Sequence, residues 1–446
     1  MDARETSAPI DREPRPAKTG GFSTARRALA VALVSAAALV AGAAPASAAP
    51  GALDHTFNGT GKVLTNLPGL DEEPSSLAIQ ADGAILVAGY ATVGGHSQLA
   101  VIRYRRNGSM DPSFGHGGVV ETRVGPGSGI NAIAIDHAGR IVAAGASFAH
   151  GRARIAIVRY RPSGSLDTSF GTDGRVVTPV ASGARAFGVA IRPDGRIVVT
   201  GSAKVGGREN MLVARYRPDG SIDPSFGNHG IALVRIGPGS VANAVVLQPN
   251  GRIVVAGRSG TLGLSATDGR FALARFLPGG TLDPAFGDHG TLTTALTDQG
   301  SYAAALALEP DGRIVAAGPS ASNTAGSPHF AVARYRPNGT LDPTFSGDGK
   351  MVDPIRSENG AFGVAIQSNG RIVVVGDAFI SGSQPFVVAR YLPAGAIDPS
   401  FGDHGHALTR PGGTATAVAI QADGRIVMVG LGGDGGSEFA VNRYLA

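Results

Sequence analysis

The stretch FGVAIRPDGRIVVTGSAKVGGRENMLVARYRPDGSIDPSFGNHGIALV, residues 187–234, holds one complete structural unit. Phe187-Gly188-Val189-Ala190-Ile191 is short and apolar, and Pro193-Asp194-Gly195 follows as a hairpin signal whose central pair favours positive φ. Arg196 to Thr200 returns as a second strand, and Met211 to Arg217 reads as a third that ends at Pro218-Asp219-Gly220. After the turn Ile222-Asp223-Pro224-Ser225-Phe226, Ile231 to Val234 makes a fourth.

The same unit recurs along the chain. Its tag Leu-Asp-x-x-Phe, with Ile or Met replacing Leu in some copies, places aspartates at Asp54, Asp111, Asp167, Asp223, Asp283, Asp342 and Asp398. The steps between them are 57, 56, 56, 60, 59 and 56 residues. The Asp/Asn-Gly hairpin recurs at 82–83, 250–251, 311–312, 369–370 and 423–424, with Ala138-Gly139 as the weak copy. Seven four-stranded antiparallel units predict an all-β, seven-bladed β-propeller. The rival is an open β-solenoid, whose coils are shorter and whose ends need distinct caps. Here the two ends complement each other. The repeat region opens at the Leu53-Asp54 turn and a fourth strand, Lys62–Thr65, and closes on a third strand, Glu438–Leu445. The seventh blade is therefore expected to join Ala415–Ile420, Arg425–Val429 and Glu438–Leu445 to Lys62–Thr65.

Composition agrees. Charged residues are 16% of the 446, against roughly 25% in average domains, and 67 glycines with 28 prolines supply many turns. The chain has no Cys and no Trp, which excludes disulfide scaffolds, thiolate metal sites and cysteine nucleophiles. Residues 1–48 read as a removable export signal: Arg26-Arg27, the uncharged run Ala28 to Ala44, then Ala46-Ser47-Ala48 as a small-x-small cleavage site. A membrane anchor is the alternative, but 17 residues fall short of the ~20 a span needs. The arginine pair also admits a twin-arginine route. Residues 49–446 are then a single exported, monomeric propeller with no membrane span. Residues 1–48 carry six basic and four acidic residues, which leaves a net charge of +3 on the remainder. No run of clustered cations interleaved with aromatics marks a nucleic-acid partner.

The tags, as Leu166-Asp167-Thr168-Ser169-Phe170-Gly171 shows, resemble the delta-60 repeat family of bacterial secreted and surface proteins, whose hallmark is Leu-Asp-x-x-Phe-Gly-x-x-Gly. The resemblance spans residues 53–446 and implies a β-propeller; it implies no activity and no cofactor. The weakest copies are Met110, in place of Leu, and Phe345-Ser346-Gly347-Asp348-Gly349, where the glycine is shifted.

Residues that recur in every copy read as structure. Arg103, Arg159, Arg215, Arg275, Arg334, Arg390 and Arg443 each precede Tyr, or Phe276 in one copy, and after all but Arg443 the tag Asp recurs eight residues later. A buried Arg needs a partner, and a planar fork to the tag carboxylate supplies one. Asp173, His229, His289, Asp348 and His404 also recur, too far apart between blades to share a metal; only His404 and His406 stand close enough for a surface zinc site.

Aligned first strands put Ser75, Asn131, Phe187, Asn243, Ala304, Phe362 and Thr416 at one ring position, expected at the channel mouth, with small residues following. That ring has no carboxylate, which disfavours a central catalytic cation. Sialidase-like Asp-box motifs, Trp-docked quinoprotein repeats, Gly-x-Ser-x-Gly elbows and His-Glu-x-x-His helices are all missing from the sequence.

The loops between second and third strands and between blades vary, and they share one face. Candidate binding residues there are Asp71, Glu72, Asn131, Phe187, Asn243, Asp298, His329, Glu358 and Phe362. The expected function is a non-enzymatic scaffold that binds an extracellular protein or glycan. The alternative is a hydrolase or lyase at the variable-loop mouth using acids such as Glu358, Asp298 or Asp377. A purely structural spacer is the third reading.

Overall fold

The computed structural model describes residues 49–67, 70–149, 151–261, 268–321, 328–355, 359–380, 382–410, 412–433 and 438–446; the expected export segment lies outside them. Among the described residues 28 strands form seven four-stranded antiparallel sheets, with no helix. The third blade is typical: Ala184–Ile191, Ile197–Val205, Arg208–Tyr216 and Ile231–Val234 pair in sequence order. Its middle strands are covered on both faces by neighbouring blades, so Ile197, Val198 and Val199 are all at most 1% exposed. A run apolar at every position, without alternation, is what that environment selects.

The seventh blade closes the ring as the chain phase requires. Lys62–Thr65 pairs with Glu438–Tyr444, with Lys62 opposite Asn442 and Thr65 opposite Phe439. Its inner strands are Thr414–Ile420 and Ile426–Gly432. The two ends also rebuild the turn that follows every third strand: Gly51 N–H donates to Leu445 O and Leu445 N–H to Ala52 O, both at 2.9 Å.

Blades are held together by one repeated device on the hairpin face. In the third blade Arg215 is 6% exposed and Asp223 is 1% exposed. Arg215 Nε donates to Asp223 Oδ2 at 2.8 Å, Nη2 donates to Ser225 Oγ at 2.9 Å, and Nη1 reaches Pro278 O in the next blade. The guanidinium therefore spreads over three acceptors; the expected fork onto a single carboxylate does not form. Asp223 Oδ1 meanwhile accepts the Ser225 N–H and hydroxyl at 3.2 and 2.7 Å, an Asx turn. The guanidinium carbon lies 4.7 Å from the centre of the Phe226 ring. The same Nε–Oδ2 pair recurs at Asp54, Asp111, Asp167, Asp283, Asp342 and Asp398 within 2.7–2.9 Å.

Backbone bonds run beside these pairs from blade to blade, such as Gly171 N–H to Asp219 O and Gly227 N–H to Gly279 O, both 2.8 Å. Six tag aspartates take a second arginine from the hairpin, as Asp223 does from Arg196 at 3.0 Å. The first blade has Ala84 there, and Asp111 is met at 3.5 Å by Arg105. Burial pushes the Asp223 carboxyl up, but the Ser225 hydrogen bonds and the Arg215 charge outweigh it and bring it down to about 2. This pair therefore stabilises the fold fully above the ordinary aspartate range and loses that contribution as pH falls towards 2.

A second set of contacts ties each third strand to the preceding outer strand. Tyr160, Tyr216, Tyr335 and Tyr444 donate to Thr122, Thr178, Thr294 and Thr409 at 2.8–2.9 Å. In the fourth blade Phe276 replaces the tyrosine, and the matching outer-strand position is Val234, packed in the same apolar cluster. Both halves of the polar pair are exchanged together, which leaves no buried hydroxyl unpaired.

Two outcomes follow. Arg215→Ala is expected to destabilise the protein by about 2–4 kcal/mol, because it leaves Asp223 buried beside only Arg196; urea unfolding measures this, and a change below about 0.5 kcal/mol contradicts it. Deleting residues 49–66 removes the outer strand of the seventh blade and exposes the edge of Glu438–Tyr444. The melting temperature of the whole domain should then fall in one cooperative transition, where loss of a frayed end would leave it unchanged.

Candidate functional site

The inner strands owe their shape to a bulge. In six blades the register with the second strand shifts at one residue: Ser75, Asn131, Phe187, Asn243, Phe362 and Thr416. These are the ring residues aligned in the sequence, with Ala304 in the fifth blade. Opposite each bulge, and at the same place in the fifth blade, sits a glycine, Gly89, Gly145, Gly201, Gly257, Gly318, Gly376 or Gly430, where a Cβ would overlap an inner-strand carbonyl oxygen. The glycine lets the inner strand approach and twist.

The ring is not an open mouth. Ser75, Phe187, Asn243, Ala304 and Thr416 are at most 5% exposed. Two of its amides fasten blades: Asn131 Nδ2 donates to Ala186 O at 2.7 Å, and Asn243 Nδ2 to Ala303 O at 2.9 Å. The small residues that follow face neighbouring blades; a Cβ on Gly188 would meet Thr200 and, at 3.2 Å, Val245 of the fourth blade.

Just above the bulges, on the variable-loop face, the first three blades enclose a groove of about 340 Å³. Its lining brings together Glu73, Tyr90, Asn131, Phe148, Arg185 and Phe187. Tyr90 Oη donates to Glu73 Oε2 at 2.9 Å. Phe148 is 39% exposed, and the Arg185 guanidinium carbon lies 5.1 Å from its ring centre. Glu73 and Arg185 stand at the same place in successive repeats, two residues before the bulge, with Gly129 between them. Later copies carry Val241, Tyr302, Gly360 and Thr414. This position carries six residue types over seven copies, in a chain whose glycine opposite the bulge never changes, and that contrast was available in the sequence for finding Arg185.

The other candidates are dispersed. Glu72 is 5% exposed, and its Oε1 accepts the Leu67 N–H at 2.5 Å while Oε2 has no partner. Burial, with smaller contributions from Glu438 and Glu121, pushes its carboxyl up to about 7. Asp71 lies on the strand Leu70–Ile79, at a register irregularity. Asp298 is exposed, and no hydrogen bond or ion pair engages its side chain. His329 is half-buried, with Nδ1 unpartnered. Glu358 lies outside the described residues. Asp377 accepts hydrogen bonds from Gln384, from Thr414 at 3.1 Å and from Gly360 at 3.3 Å, yet burial pushes its carboxyl up. No contact joins Asp298 to Asp377, so the acids named for a hydrolase or lyase do not form a pair.

The recurrent His and Asp residues have a backbone explanation. Asp173, His229, His289 and His404 adopt φ of +50 to +52°; Asp348 does not, and in its copy Ser346, like Asn58 in the first, takes positive φ directly after the tag phenylalanine, where the regular copies carry a glycine. Short polar side chains tolerate that region best. His404 and His406 do not converge: His404 bonds Asp403, whereas His406 Nε2 meets Asp353 Oδ2 at 2.9 Å. Among the described residues no group of three His, Asp or Glu is placed to hold a metal ion.

Comparison with known proteins places the chain among β-propellers. A family described as "Domain of unknown function (DUF5122) beta-propeller" matches residues 80–114, 139–170, 192–226, 248–286, 309–345 and 367–401. Each match runs from the hairpin to the tag phenylalanine; the seventh such segment is divided between the two ends. No curated protein matches in sequence. Among solved structures, virginiamycin B lyase from Staphylococcus aureus is similar at 10% identity, over 86% of this chain and 99% of that one, with a TM-score of 0.50. Sqt1 of Chaetomium thermophilum (12% identity, 85% and 96%, TM-score 0.46) and an ulvan lyase of polysaccharide lyase family PL25 (12%, 84% and 93%, 0.45) also match.

Glu72→Gln is expected to stabilise the protein. With the folded carboxyl raised to about 7, its favourable contribution is complete below the ordinary glutamate range and lost as pH rises through 7. The variant should be more stable than the parent at pH 8, by on the order of 1–2 kcal/mol in urea unfolding, and match it at pH 4; equal stability at both values contradicts the burial of this charge.

Proposed function

We propose that this chain is an exported propeller of the delta-60 kind, and that it acts as a binding scaffold for a glycan or protein at the cell surface or in the medium. Export rests on the Arg26-Arg27, Ala28 to Ala44 and Ala46-Ser47-Ala48 pattern. The observation that carries the binding role is the groove across the first three blades. It combines an exposed aromatic, Phe148, with polar groups on Tyr90, Glu73 and Arg185, all mounted on strands of a closed ring. Rigid placement of a few polar groups around an apolar floor is the usual form of a recognition site.

A second reading, catalysis in the same groove, is favoured by one contact. The Tyr90 hydroxyl and the Glu73 carboxylate converge at 2.9 Å, giving one proton donor and one acceptor in reach of a bound ligand. The two readings separate by experiment. Phe148→Ala should weaken binding of isolated cell-wall material by roughly tenfold, as loss of a central aromatic anchor does, without changing the melting temperature. Under the binding reading Tyr90→Phe leaves the recovered ligand chemically intact, as the parent does. Ligand cleavage by the parent, lost in Tyr90→Phe and Glu73→Gln, would establish the catalytic one.

A further inference from the structure

The overall charge hides a polarity of the variable-loop face. Over the first three blades this face carries Arg123, Arg152, Arg154, Arg185, Lys204, Arg208 and Arg235. Arg123, Arg152, Lys204, Arg208 and Arg235 are exposed, and none of them forms an ion pair with a described carboxylate. The acids of the same sector are Asp71 and the buried Glu72 on the strand Leu70–Ile79, Glu73 in the groove, Glu121 on an outer strand, and Glu209 opposite Lys204. Across the ring, the fifth to seventh blades present Asp298, Asp353, Asp377 and Glu438 on the same face, with Arg410. On the opposite face the seven recurrent arginines are neutralised by the tag aspartates, whereas this sector presents a run of exposed, unpaired cations beside the groove.

Their spacing has a pattern. Arg152 and Arg208 open the third strands of the second and third blades, and His96 opens that of the first. Arg123 and Arg235 each directly follow an outer strand, Val119–Thr122 and Ile231–Val234. A ligand that meets them in succession carries negative charge at intervals along its length. From this arrangement we infer that the groove and its flanking arc bind an anionic polysaccharide, one bearing carboxylate or sulfate groups on successive sugars. The inference rests on the binding role proposed above and names the ligand class for that same groove.

Sugar fits better than nucleic acid. Single-stranded nucleic acid needs several exposed aromatic faces in a row, and Phe148 is the exposed large aromatic of this sector, already capped by Arg185. The other large exposed side chains nearby, Val177 and Val205, are aliphatic. A carboxylate paired with a tyrosine hydroxyl, as Glu73 is with Tyr90, is a suitable partner for the neutral hydroxyls that a polysaccharide carries between its charged groups. Arg185 then meets a ligand carboxylate or sulfate through its planar donors, and the flanking cations hold the chain by longer-range attraction.

The test is a binding titration of the purified protein with polygalacturonate and chondroitin sulfate, against dextran, single-stranded poly(dT) and polyglutamate. Binding of the anionic glycans alone, weakening steadily with added salt, is the expected result. Arg152→Ala with Arg208→Ala should weaken it roughly tenfold, two exposed charges together, with the melting temperature unchanged; Arg185→Ala should weaken it more. Equal affinity for dextran, abolished by Phe148→Ala, overturns the inference and leaves the groove as a binding site. Equal or tighter binding of poly(dT) or polyglutamate overturns it as well. A protein that binds none of these glycans, with Phe148→Ala affecting no ligand from cell-wall material, overturns both the inference and the binding role.

Discussion

A guanidinium buried between packed sheets is the constraint on which this molecule turns. Removing such an ion from water costs several kcal/mol unless its donors are all satisfied. Arg215 is satisfied only because Asp223, Ser225 and the Pro278 carbonyl converge on it from two blades. The tag is therefore more than a turn. Its aspartate neutralises the charge, its serine or threonine both caps the Asx turn and accepts from the arginine, and its phenylalanine covers the guanidinium face. One acceptor comes from the following blade, so the arrangement is complete only in a ring. In the seventh blade it is completed by Asp54, 389 residues away from Arg443.

This device makes the hairpin face uniform and leaves the other face free to differ. Each arginine fixes the hairpin-side ends of two blades, and each bulge glycine fixes how closely the inner two strands approach. Beyond the bulge those requirements lapse. Two residues further out, the chain carries Glu73, Gly129, Arg185, Val241, Tyr302, Gly360 and Thr414 at one equivalent position. The scaffold tolerates all seven there because none has a backbone neighbour to overlap or a buried charge to satisfy.

Architecture was legible from the sequence because it is written seven times. The strand order, the closure by Lys62–Thr65 and the structural role of the arginines all follow from repetition and phase. The ring of Ser75, Asn131, Phe187, Asn243, Ala304, Phe362 and Thr416 is one set of equivalent positions, as the alignment has it, but most of it is buried rather than open, while Asn131 and Phe187 also line the groove. A period-two pattern cannot announce a bulge, and the bulge is what buries this ring and sends Asn131 and Asn243 to neighbouring carbonyls. The recurrent histidines were ambiguous for a related reason: a position that selects for positive φ and one that selects for a metal both favour His and Asp. The groove was harder still. Arg185, Tyr90 and Phe148 belong to three different blades, and only the twist of the inner strands brings them to one cavity.

In a closed repeat, recognition must reside in what the copies do not share. A site needs asymmetry, because a ligand with one orientation cannot be read by seven identical parts. The shared residues cancel in charge, arginine against aspartate, blade by blade. What remains is the difference between copies, and here that difference has a direction: arginine and lysine over the second and third blades, carboxylates over the fifth to seventh. Exposed charges of one sign repel each other, and their separation round the ring opposes the mixing that favours solubility and stability. The scaffold can carry that cost because its cohesion comes from the opposite face, where each recurrent guanidinium is paired with a tag carboxylate. The same separation gives the variable-loop face a polarity, and through it a preferred orientation for any ligand charged along its length.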